Sequence, residues 1–148
     1  EEDRISAHRK NGVMAALNGR LPEEYLRVGR ADSAGGRQEA EVLLGLAEPP
    51  DAVICANQYI AFGCVGALKA SGVRIPEETA VITFDDFPFS RVMEPELTVV
   101  NLDMYDMGEQ AAKLVLRRIK KPQLVVQSQT TLPVLIRRGS TAQAPRRT

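Results

Sequence analysis

The sequence predicts a doubly wound parallel α/β sheet, on three observations. Helical and strand-like patterns alternate along the chain, as they do in folds built from βαβ units. Residues 52–56 (Ala-Val-Ile-Cys-Ala) and 80–84 (Ala-Val-Ile-Thr-Phe) are short continuous apolar runs, the pattern of strands covered on both faces. A helical segment from about Gln58 to Ser71 separates them and is closed by Gly72 and then Pro76, the usual punctuation of a helix end.

The other elements follow in order. Ile5, Arg9, Gly12, Val13, Ala16 and Leu17 share one face of a first helix. Asn18-Gly19 ends it, because both residue types tolerate positive φ. Residues 25–29 (Tyr-Leu-Arg-Val-Gly) read as a strand, and Ala40, Leu43, Leu44 and Ala47 give the next helix its stripe before Pro49-Pro50 breaks it. After the second apolar run comes a proline-containing loop, Asp85 to Glu96, and a third β-like run at 98–101. Asp103 is placed to cap a helix with an inner stripe of Met104, Met107, Ala111, Leu114, Val115 and Ile119. Lys120-Lys121 suits the negative end of its dipole and Pro122 stops it. Residues 124–137 alternate enough to be strands, and 142–148 read as a disordered tail.

Composition narrows the function. The 148 residues suffice for one domain with a real core, and 19 basic residues balance 19 acidic ones, so the chain carries no polyanion-binding signal of its own. No apolar run is long enough to span a bilayer. Cys55 and Cys64 sit in apolar stretches and read as reduced core thiols. His8 is the only histidine. A Ser-His-Asp mechanism would have to use it, and nothing around it suggests one. No catalytic group, no metal site and no cofactor is therefore expected. The chain opens Glu1-Glu2-Asp3 without a methionine, as a piece of something longer would.

Ligands of open α/β sheets bind beyond the carboxyl ends of the strands. That rule selects Asn57, Asp85 and Asp86, and the loop Arg30 to Ser33. Arg9 joins them as a charge on an apolar helix face, where it needs a partner or a rim position. Each has a plainer use. Asn57 fits an N-cap. Asp85-Asp86 fits a turn or, less well, a magnesium site. Arg9 fits a side chain that snorkels to solvent. Gly35-Gly36 precedes a helix, but the spacing of a phosphate loop is absent.

Apolar residues in excess mark a surface. Ile60, Cys64, Ala67 and Leu68 suffice to face the sheet, which leaves Phe62 and Val65 over. The loop after Asp86 adds Phe87, Phe89, Val92 and Met93. An interface built from Phe62, Val65, Phe89, Val92 and Met93 is expected, against the alternative that Phe87 and Phe89 tuck under their own loop.

In combination these segments resemble the C-terminal half of lactose-repressor family sensors nearly end to end. The resemblance is carried by Arg9-Lys10-Asn11-Gly12, by Pro50-Asp51-Ala52-Val53-Ile54-Cys55-Ala56-Asn57 running into Ala61-Phe62-Gly63, and by Gly66-Ala67-Leu68. It continues through Gly72-Val73-Arg74-Ile75-Pro76-Glu77-Glu78, Ile82-Thr83-Phe84-Asp85-Asp86, Pro95-Glu96-Leu97-Thr98-Val99-Val100 and Met107-Gly108. It ends in Leu132-Pro133 and Leu135-Ile136-Arg137-Arg138-Gly139-Ser140-Thr141.

The resemblance implies a type I lobe like that of periplasmic binding proteins, one of two lobes that hold an effector between them. It implies that Arg9, Asn57 and Asp85 bind that effector, a sugar or related metabolite. The family often stacks an aromatic ring where this chain has Ala31. It further implies residues 1–98 as the C-terminal lobe, 99–121 as a segment of the other lobe and 122–141 as return strands. A first strand, the N-terminal lobe and a helix-turn-helix domain that reads operator DNA would lie outside this chain. A cytoplasmic repressor acting as a homodimer is expected, with no membrane partner. The alternative is a periplasmic sugar-binding protein of a transport system.

Overall fold

A computed structural model describes residues 4–142. Its elements are α1 (Arg4–Ala16), α2 (Ser33–Leu44), β1 (Ala52–Cys55), α3 (Gln58–Ala70), β2 (Ala80–Phe84), α4 (Pro88–Val92), β3 (Thr98–Asn101), α5 (Met104–Lys120) and β4 (Val134–Ile136). They form one four-stranded sheet in the order β1-β2-β3-β4. The two apolar runs are parallel neighbours, Ala52 opposite Ala80 and Cys55 opposite Thr83. β3 adds in parallel and β4 closes antiparallel, with Val99 opposite Ile136.

Local chemistry sets the helix ends. The Asn57 Oδ1 accepts from the Ile60 N–H at 2.9 Å, and Asp103 accepts from the Asp106 N–H at 2.9 Å, each satisfying a donor that the first helical turn leaves orphaned. Past α1, Asn18 and Gly19 take positive φ and the Gly19 N–H returns to the Met14 carbonyl at 2.9 Å, a left-handed helix stop.

The core lies where α3 packs between the sheet and α2. Ala61, Cys64, Val65 and Leu68 of α3 share one buried cluster with Val81, Val99 and Ala40. The two helices approach to backbone contact. A Cβ on Gly36 would lie 2.2 Å from the Ile60 carbonyl oxygen, and one on Gly63 would lie 1.9 Å from that of Ser33. Gly36 is thus a packing residue rather than part of a phosphate loop. Cys55 and Cys64 are free, buried thiols. The hydrogen bond that the Cys55 thiol donates to Cys64, helped by burial, pushes Cys55 up and keeps it protonated.

Three expectations are corrected. Residues 25–29 form no strand: Glu23–Tyr25 is a 3-10 turn and the next five residues are irregular. A strand needs a neighbour for its N–H and C=O groups, and this segment pairs with none, packing instead through Gly29 and Arg27 against Glu39 of α2. For the same reason β1 is the edge of the sheet and Ile54 is exposed, not buried on both faces. Of residues 124–137, only Val134–Ile136 pair as a strand.

The stripe on α5 does not fold back. No residue of that helix is buried, and Met104, Val115 and Ile119 stand exposed. At the other end of the chain, Ser140 is fully buried, and its hydroxyl donates to the Val81 carbonyl at 2.6 Å while accepting from the Thr98 N–H at 2.8 Å. Ala142 closes the final turn on Gly139. The rest of the expected tail, 143–148, lies outside the described residues.

Candidate functional site

The carboxyl ends of β1 and β2 bring the three candidate residues together. From α1, the Arg9 Nη1 donates to the Ala56 carbonyl, the residue before Asn57, at 2.5 Å. Its Nη2 lies 3.6 Å from the Asp85 carboxylate, and its guanidinium carbon sits 4.3 Å above the Phe84 ring centroid. An arginine on an apolar helix face thus finds a carbonyl, a carboxylate and a π face. Asn57 caps α3, and its Nδ2 reaches the Ala31 carbonyl at 3.4 Å, which places the loop after Gly29 beside the same rim. The Arg9 and Asp85 side chains remain 20 and 39 % exposed, so their outer faces are open to a ligand. Such a set offers fixed donors from Arg9, acceptors from Asp85 and both from Asn57, which is what a pair of vicinal hydroxyls needs.

Asp85 sits at φ +70°, a left-handed conformation that Asp and Asn adopt more readily than other non-glycine residues. Its N–H donates to the Val100 carbonyl at 3.0 Å. The turn therefore joins β2 to the end of β3.

Asp86 has a different task. Its carboxylate receives both terminal nitrogens of Arg138, at 2.9 and 2.8 Å, together with the Ser90 hydroxyl and the Arg91 Nη2. The Arg138 fork, with Ser90 and Arg91 beside it, holds the Asp86 carboxyl well below the usual carboxylate range. The pair is nearly dry, the side chains being 6 and 10 % exposed. The magnesium alternative for Asp85-Asp86 loses its ligand here, since Asp86 is consumed by Arg138. Among the described residues no group of three His, Cys, Asp or Glu side chains could hold a metal. Sequence reasoning gave Arg138 no role, because its partner lies 52 residues away and no local spacing signals it. Phe84 and Asn101 were missed likewise.

The apolar surface is partly as expected. Phe62, Phe89 and Val92 are exposed, and the Phe62 and Phe89 rings lie 6.1 Å apart, with Phe87 6.0 Å from Phe89. Val65 is not part of it: at 1 % exposure it belongs to the chain's own core, four residues on from Ala61 on the same face of α3 as Cys64 and Leu68. Met93 is half-buried against that core. A depression of about 360 Å³ lies at the far end of α3, among Lys69, Ile75 and Pro95, a helix length from Asn57.

Comparisons with known proteins agree with this architecture. The family described as periplasmic binding protein-like domain matches residues 2–141. The "Probable HTH-type transcriptional repressor ExuR" of Bacillus subtilis is 36% identical over 121 residues, 80% of this chain and 36% of that protein. The regulator GalR of Escherichia coli is 34% identical over 143 residues, 94% of this chain and 40% of that one. The ribose operon repressor of Escherichia coli is 31% identical, covering 93% and 41%. A LacI family regulator from Enterococcus faecium, solved with bound ribose, superposes with a TM-score of 0.82 at 28% identity, over 93% of this chain and 52% of that one. The chain thus spans about two fifths of the length of these curated relatives. It belongs to the periplasmic binding protein-like domain family, and over the part of their length that it spans it is similar to transcriptional repressors and to LacI family regulators.

Proposed function

We propose that this chain senses a small effector, a sugar or related metabolite, for a repressor that binds operator DNA through a helix-turn-helix domain of the complete protein. The observation that carries the reading is the convergence of Arg9, Asn57 and Asp85 on one open rim at the carboxyl ends of β1 and β2. The relatives are regulators of transcription, which favours this reading over a transport protein and over an enzyme. The uncovered stripe of α5 supports placing that helix in a second lobe that would close the cleft, whereas residues 99–101 of the expected segment pair in this sheet as β3. No helix among the described residues is long and apolar enough to cross a membrane, which accords with work in the cytoplasm. Phe62, Phe89 and Val92 are the proposed centre of a homodimer contact, each patch set against its own copy about a twofold axis.

Isothermal titration of the complete protein, with both lobes, against D-ribose, D-galactose and D-galacturonate tests the site. Arg9→Ala and Asp85→Asn should each weaken the bound sugar by about 10- to 100-fold, the cost of leaving a buried polar partner unmatched. Unchanged affinity in both variants would place the effector elsewhere.

A further inference from the structure

We infer that Arg138 is a positioning residue for Asp85: through Asp86 it fixes the left-handed turn from which the rim carboxylate reaches Arg9. This rests on the effector-site reading above, which assigns Asp85 its contact with ligand. An aspartate at φ +70° keeps that conformation only where its surroundings over-determine it. Here both sides are pinned. On one side the Asp85 N–H is bonded to the Val100 carbonyl at 3.0 Å. On the other, the Asp86 N–H donates to the Asn101 Oδ1 at 3.2 Å and the Asp86 carboxylate lies in the fork of Arg138.

Arg138 is itself immobilised. Its Nη1 also donates to the Leu97 carbonyl and to the Ser90 hydroxyl, each at 3.0 Å. Its backbone N–H donates to the Thr98 Oγ1 at 2.9 Å. Ser90 accepts from Arg138 and donates to Asp86, which closes the ring of bonds. Arg91 also reaches Asp86, but its side chain is 68 % exposed and fixes nothing in return. Val100 and Asn101 end β3, and only two residues separate them from the start of α5. The same bonds therefore tie the rim carboxylate to the point where the chain leaves the sheet, so a displacement of that exit reaches Asp85 within one hydrogen bond.

The test is amide hydrogen exchange in the full chain, wild type against Arg138→Lys and Arg138→Met. Lysine keeps the charge but not the two-pronged geometry, and it serves if the methionine variant fails to fold. The Asp85 and Asp86 amides should exchange at least about tenfold faster in the lysine variant, with the buried amides of β2 unchanged. If they accelerate only in step with the β2 amides, or not at all, Arg138 merely stabilises the fold and the inference fails. A second arm uses the same three sugars. Arg138→Lys should weaken binding at least about fivefold in the wild-type background and less than about twofold in Asp85→Asn. Equal losses in the two backgrounds overturn the route through Asp85. If none of the sugars binds wild type, it is the effector reading that fails, and the exchange data still decide the role of Arg138.

Discussion

Gly63→Ala should destabilise the fold through a single methyl group. A Cβ there would stand 1.9 Å from the Ser33 carbonyl oxygen and 2.7 Å from the Arg37 nitrogen, against an ordinary contact of at least 3.4 Å. The obstacle is backbone, so no rotamer can yield, and α2 must back away from α3 by about 1.5 Å. Overpacking of this kind costs about 1–3 kcal/mol, and a backbone clash belongs at the upper end. Alanine's helix propensity returns about 1 kcal/mol. The net is a loss of about 2 kcal/mol, which moves a urea midpoint down by about 1 M for a domain of this size. Gly12→Ala and Gly108→Ala are the controls. Both lie inside helices with nothing within 4 Å of the added carbon, so each should raise stability by about 0.5–1 kcal/mol. A Gly63→Ala variant as stable as wild type would show that the helices are not in backbone contact.

Acid should unfold the wild type partly through Asp86. Its carboxyl is held below the ordinary value of 3.8 in the fold, so its contribution is present at higher pH and is lost as pH falls below about 4. The stability gap between wild type and Asp86→Asn, followed by urea unfolding from about pH 5 down to about pH 2.5, should therefore narrow; a constant gap refutes the linkage. At neutral pH, Arg138→Met should cost about 3 kcal/mol, because it leaves the nearly dry Asp86 carboxylate only Ser90 and the exposed Arg91. Phe62→Asp should convert micromolar dimers to monomers in sedimentation, and identical behaviour of the two proteins would remove the aromatic patch from the interface.

Much of the fold could be read from residues whose effect is local. Asn57 and Asp103 cap helices because their side chains reach only three residues ahead, and Gly72 ends a helix at φ +76° through its own backbone freedom. What needs a distant partner could not be read. Residues 25–29 have strand-like side chains but no strand beside them, and β propensity alone does not supply one. Val65 looked like surplus because one helical stripe was counted against one sheet. The stripe is wider than that: Val65 follows Ala61 by four residues and is buried with Cys64 and Leu68, while Phe62 and Phe89 stay outside. The grouping of the candidate residues was legible for a related reason: the rule that ligands meet strands at their carboxyl ends is topological, and it selects Asn57 and Asp85 without any distance.

Asp85 and Asp86 show where such reading stops. The two are adjacent and chemically identical, and the spacing treats them as one turn or one metal site. The backbone separates them. The left-handed step at Asp85 sends one carboxylate outward to Arg9 at the half-exposed rim, while the next turns inward to a nearly dry arginine. The inner one cannot serve a ligand, because every strong donor within reach is already spent on it. The outer one can, because its arginine is held by the Ala56 carbonyl and the Phe84 ring as well and does not need the full charge of Asp85. The buried pair is saturated and the half-exposed pair keeps atoms open to solvent, and the division follows from a single positive φ that no residue type in the sequence requires.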